Sequence, residues 1–114
     1  MLRKVLFLVF CFVCLVPQAV AEEKMLGPDE WPVTVDAVVT DILSSMNDEN
    51  KDILQNTPRD DLILFHHGWG TGIRNYYGLW RGNEDLIRDA CGGEICHPDD
   101  ASMVIIERTW KALQ

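Results

Sequence analysis

The chain has 114 residues, 47% of them hydrophobic, and its eighteen acids against ten bases give a formal net charge of −8. That balance argues against nucleic acid and anionic lipid as partners, because both are held by basic patches. It suits a basic partner, or simple solubility.

In chain order, Arg3 and Lys4 precede an uncharged apolar run from Val5 to Val16, Pro17 breaks the run, and Ala19-Val20-Ala21 supplies the small residues a signal peptidase reads. Twelve apolar residues fall short of the roughly 20 that a membrane-spanning helix needs. The expectation is a signal peptide over residues 1–21, cleaved after Ala21, and a periplasmic or secreted protein without stable membrane insertion. The alternatives are a retained N-terminal anchor and a lipoprotein built on Cys11 or Cys14. Each of those cysteines follows a bulky residue where a lipobox wants a small one. Cleavage leaves 93 residues, enough for one domain with a modest core. With Arg3 and Lys4 gone, eight bases face eighteen acids, a net of −10.

Residues 22–30 are polar and without period, and read as a flexible lead to a helical domain over 31–114. Trp31-Pro32 forces an extended entry, since the residue before proline avoids helical angles. Thr34 is the expected N-cap of a first helix, whose buried face is spelled by Val35, Val38, Val39, Ile42, Leu43 and Met46. Trp31 is expected to staple back onto that face. Asn47-Asp48 restart the pattern for a short second helix to Gln55, with Ile53 and Leu54 inward. Thr57-Pro58-Arg59-Asp60 offers a cap, an early proline and an acid to open a third helix.

The stretch LILFHHGWGTG, Leu62 to Gly72, looks at first like a strand entering an oxyanion loop. Taken as helix, however, Leu62, Phe65, Trp69, Ile73, Tyr76 or Tyr77 and Trp80 recur at intervals of three or four. The expectation is therefore one long helix through the glycines, with Gly68 and Gly72 letting a neighbour approach and Gly78 ending it in a left-handed cap. Asn83 caps a fourth helix that ends near Cys91-Gly92. His97-Pro98-Asp99-Asp100 opens a fifth, with Val104, Ile105, Ile106, Trp110 and Leu113 apolar. The fold class is all-α: a single domain of about five helices.

Cys91 and Cys96, in CGGEIC, read as one structural disulfide in an exported chain. Redox motifs usually hold two residues between the cysteines, and zinc needs more ligands than stand nearby.

The catalytic reading of HHGWGTG lacks its partners. No G-x-S-x-G elbow accompanies it, and no Lys-Ser/Thr follows the glycines to cradle phosphate. His66 and His67, adjacent on a helix, point about 100° apart. His66 and His97 remain weak metal candidates, with Asp99 and Asp100 as possible co-ligands. No cofactor is expected and no catalytic residue is assigned. Trp80, Arg81 and Tyr77 are the candidates for outward contact, combining aromatic surface with a guanidinium fork.

The series WPVTVDAVV, DDLILFHHGWGTGIRNYYGLWRGN and HPDDASMVIIERTWKALQ resembles an uncharacterised bacterial domain-of-unknown-function family. Its pattern runs WP-x-T-V, L-x-x-x-H-x-G-x-G-x-x-I-R-N, G-L-W-x-x-N and HPDD-A-S, with a terminal W-x-x-L. His67 stands where that pattern has an aromatic residue. The resemblance implies a small, mostly helical domain with no assigned activity. It also draws together His66, Arg74, Asn75, Asp99 and Asp100 as one polar cluster, either a structural lock or a ligand pocket.

The resulting expectation is an exported helical module that binds a protein or envelope component, with an inhibitor-like or immunity-like role as one version. The alternative is a small metal-dependent hydrolase using the His/Asp cluster.

Overall fold

The computed structural model describes residues 25–114, so the signal-peptide reading of residues 1–21 lies outside the described residues. Among the described residues the protein is all-α. Its α-helices are α1 (Val35–Ser45), α2 (Asp48–Gln55), α3 (Trp69–Tyr76), α4 (Glu84–Ala90) and α5 (Pro98–Ala112), with 3-10 segments at Pro28–Glu30 and Arg59–Phe65. The last helix is the centre of the packing. It lies against α1, α3, α4 and the second 3-10 segment, while α1 also meets α4.

The helix starts follow from short polar side chains accepting the first free amides. Thr34 Oγ1 accepts from Ala37 N at 3.1 Å, Asn47 Oδ1 from Asn50 N at 2.8 Å, and Asn83 Oδ1 from Leu86 N at 3.4 Å. His97 does the same for α5 through Nδ1, which accepts from Asp99 N at 3.0 Å. Asp89 reaches from α4 to accept from Val35 N at 2.7 Å, so one helix caps the start of another.

The core joins Val35, Val38 and Ile42 of α1 to Leu86 and Ile87 of α4 and to Ala101, Ile105 and Ile106 of α5, all buried. Burying such a side chain fully stabilises the fold by about 1.5–3 kcal/mol each, before the cost of ordering the chain. Ser102 and Thr109 are also fully buried, each bonding back to its own helix, at Asp99 O and Ile105 O.

Several expectations need correction. The long third helix is broken: a 3-10 segment ends at Phe65, turns cover His66 to Gly68, and α3 is only eight residues long. A stripe at intervals of three or four suits both forms, because 3-10 helices align residues three apart and α-helices three or four. Thr57 does not cap the 3-10 segment. Its hydroxyl donates backward to Ile53 O at 2.7 Å and so closes α2. Gly68 and Gly72 face open space, and the glycine at a close approach is Gly70, where a Cβ would stand 3.0 Å from Arg74 Nη1 and 3.7 Å from Ile106 Cδ1.

Trp31 lies on Gly78, where an added Cβ would fall 2.2 Å from the indole, and its ring sits under the Arg81 guanidinium at 5.3 Å. From Leu26 onward the lead is bonded to the rest of the domain. Leu26 N donates to Tyr76 O at 3.2 Å, and Leu26 O accepts from both Trp31 Nε1 at 3.0 Å and Arg81 Nη2 at 3.1 Å. Gly78, at φ +77°, is the left-handed cap expected of it. The disulfide joins Cys91 and Cys96, with Cα atoms 6.2 Å apart.

Candidate functional site

Two regions bring chemistry-bearing side chains together. The first is the polar cluster between α3 and α5. Arg74 is buried, and its guanidinium donates to Ser102 Oγ at 2.8 Å, Thr71 Oγ1 at 2.9 Å and His66 O at 3.3 Å. Its Nε stands 3.4 Å from Asp99 Oδ1, and His66 Nε2 and His97 Nδ1 each stand 3.7 Å from Asp99 Oδ2. His66, Arg74 and Asp99 thus meet as the sequence pattern suggested. Asn75 and Asp100 are exposed, and neither side chain bonds to the cluster among the described residues.

The cluster ties two helices together, while His66 Nδ1 and Arg74 Nε are buried without a hydrogen-bond partner among the described residues. The guanidinium beside Asp99 already offers that carboxylate a cation. His97 Nδ1 is engaged by the Asp99 amide. Among the described residues no group of three or more His, Cys, Asp or Glu is placed to hold a metal ion. Most of Arg74's donors end on protein acceptors of three segments, so the cluster clamps the turn at His66 and the helix α3 onto the start of α5.

The residues nominated for outward contact divide. Trp80 is half exposed and meets His97 edge to face, with ring centroids 5.6 Å apart. Arg81 is exposed, and Nη2 of its guanidinium donates to Leu26 O and to Asn75 O at 2.8 Å. Tyr77 is 4% exposed, and its hydroxyl donates to Asp41 Oδ2 at 2.6 Å. Burial, reinforced by that hydrogen bond to a carboxylate, pushes the Tyr77 hydroxyl far above its ordinary pKa.

The second region was not read from the sequence. A groove runs between α1 and α2 on one side and α3 on the other. Its apolar end is a hollow of about 260 Å³ lined by Met46, Asn50, Ile53, Leu54, Phe65 and Trp69. An adjoining hollow of about 370 Å³ shares Met46, Asn50 and Trp69 and continues to Asp41, Ser45 and Tyr76. Phe65 and Trp69 meet edge to face at 5.9 Å in its floor. Ile53 of its lining is 53% exposed, and on the 3-10 segment that supplies Phe65 the residues Ile63 and Leu64 are 59% and 77% exposed.

One signal for this surface was available. In a 3-10 segment residues three apart align, so Leu62 and Phe65 turn inward and Ile63 and Leu64 are left outside. Ile53 and Leu54 are likewise neighbours, and only Leu54 is buried, which corrects the inward placement of Ile53.

The elements that form the groove are also acidic. Asp41 lines it, α2 carries Asp48, Glu49 and Asp52 against Lys51, and the 3-10 segment carries Asp60 and Asp61. Arg59 of that segment is already paired with Glu107. An exposed apolar hollow with charged surroundings is a common form of interaction face.

The family model described as a domain of unknown function (DUF6794) matches residues 31–113. No curated protein and no solved structure matches the chain.

Proposed function

The chain belongs to the DUF6794 domain-of-unknown-function family, a membership that brings no activity with it, and from that premise we propose that it is an exported binding module. Its working surface is the groove between α1, α2 and α3, and its partner is a protein segment that is apolar and basic. The observation that carries this reading is an apolar hollow with Ile53 exposed in its lining, on elements that also expose Ile63 and Leu64 and whose carboxylates outnumber their free cations. Charge selects the occupant. A second copy of a chain at net −8 would bring like charge to the same face, whereas a basic segment gains from it.

Export is supported by the Cys91–Cys96 disulfide, a bond that persists in oxidising compartments. No helix among the described residues is long and apolar enough to cross a membrane.

The test is a photo-crosslinking residue at position 53 of the full chain in cells, with position 95 in the disulfide loop as the control. The expected result is one partner captured from position 53 and not from 95, through a segment in which Lys or Arg flanks apolar residues. Equal capture from both positions would sink the proposal. So would capture of a second copy or of the chain's own first 24 residues.

A further inference from the structure

The two ends of the groove differ in chemistry, and the difference specifies what it reads. The apolar hollow of about 260 Å³ opens into the adjoining one of about 370 Å³ and has the more apolar lining of the two. It is the size for one bulky side chain, seated between Met46, Ile53, Leu54, Phe65 and Trp69. At the other end stands Asp41. Its Oδ2 is held by the Tyr77 hydroxyl, which fixes the carboxylate in place. Its Oδ1 accepts no hydrogen bond among the described residues.

Between the two ends lies Asn50, which lines both hollows. Its backbone amide is engaged by Asn47, but among the described residues its side-chain amide has no protein partner. A side-chain amide offers one acceptor and two donors, the complement of a peptide backbone.

We propose that the groove recognises a short extended peptide segment by three contacts: an apolar anchor in the hollow, main-chain hydrogen bonds to the Asn50 amide, and a Lys or Arg paired with Asp41 Oδ1. The inference rests on the binding-module reading above and adds its recognition rule. The spacing follows from α1. Asp41 and Met46 are five residues apart, about 7.5 Å along the helix axis. An extended peptide advances about 3.3 Å per residue, so the cation stands about two residues from the anchor.

The experiment uses fluorescently labelled, end-capped peptides of one length and fluorescence polarisation against the full chain. One peptide carries Leu with Arg two residues away, a second has Glu in place of the Arg, and a third keeps the Arg but has Ser in place of Leu. Both orders of anchor and charge are included. The Leu/Arg peptide is expected to bind about ten-fold tighter than the Leu/Glu peptide, the sum of one attraction gained and one repulsion avoided at a solvated pair. The Ser/Arg peptide should bind more weakly than Leu/Arg, which separates recognition from general attraction to an acidic surface. Asp41→Asn should bring Leu/Arg and Leu/Glu to within about three-fold of each other, and Asn50→Ala should weaken both equally.

Equal binding of the Leu/Arg and Leu/Glu peptides by the wild type overturns the recognition rule without using any variant. If that equal binding is lost in Ile53→Glu, the groove itself still stands as the docking face. No binding of any peptide at about 1 mM also overturns the rule, and crosslinking from position 53 then decides separately whether the groove is used at all.

Discussion

At the scale of single residues, one contact, Trp31 on Gly78, decides how the N-terminal lead meets the end of α3. Gly78 has φ +77° and lies under the Trp31 indole, while Gly92 has φ +70° and nothing within 4 Å of an added Cβ. Both positions penalise alanine by about 1–2 kcal/mol for the left-handed backbone, partly offset by a stiffer unfolded chain. Only Gly78→Ala must also displace an aromatic ring, and overpacking of that kind costs a further ~1–3 kcal/mol. Urea unfolding should therefore place Gly78→Ala below Gly92→Ala by about that amount; equal losses would mean that Trp31 yields freely.

The Tyr77 hydroxyl gives a second test at this scale, through pH. Its folded pKa is raised above the unfolded value of 10.0, first by burial and then by its bond to Asp41. Below pH 10 both states keep the proton and its stabilising contribution is complete. Above pH 10 the unfolded chain releases the proton and the folded one retains it, so stability falls by about 1.4 kcal/mol per pH unit. Tyr77→Phe lacks that slope. Its deficit relative to the wild type, measured by unfolding at about pH 8 to 11, should shrink as pH rises; parallel losses would count against the buried hydroxyl.

At the scale of elements, what the sequence made legible is what local chemistry controls. Thr34 and Asn83 cap the helices they were expected to cap, because a cap is settled within four residues, and His97 caps the helix its segment was expected to open. Gly78 closes α3 for a similarly local reason. The continuity of the third helix was not legible, since the same stripe of Leu62, Phe65, Trp69 and Ile73 is served by a 3-10 segment, a turn and a short α-helix. What decides between these is tertiary. Arg74 draws the His66 carbonyl, Thr71 and Ser102 to one guanidinium, and the turn at 66–68 lets it do so. The polar cluster was half legible on the same grounds: His66, Arg74 and Asp99 come together, while Asn75 and Asp100 sit on the outward sides of their helices. The groove escaped notice because an apolar residue in a helical pattern is read as inward. In a segment with three residues per turn, a run such as Leu62 to Phe65 must leave two outside.

At the scale of the whole molecule, a small acidic domain needs a means of staying folded while exposing apolar surface. The core is modest, and part of the aliphatic complement, Ile53, Ile63 and Leu64, contributes little to it. Domains of this size often add a covalent closure for that reason. Here it joins the end of α4 to the segment just before α5, the helix at the centre of the packing. Closing so short a loop removes entropy from the unfolded chain worth about 2 kcal/mol. In a domain of this length 1 kcal/mol shifts the melting temperature by about 4–8 °C, so reduction should lower it by about 10 °C. Calorimetry with and without a thiol reductant reads this directly, and Cys91→Ser/Cys96→Ser should reproduce the reduced value. A shift under about 2 °C would mean that the Arg88 contact to Gly93 O and the His97 cap hold the α4–α5 corner without the covalent bond.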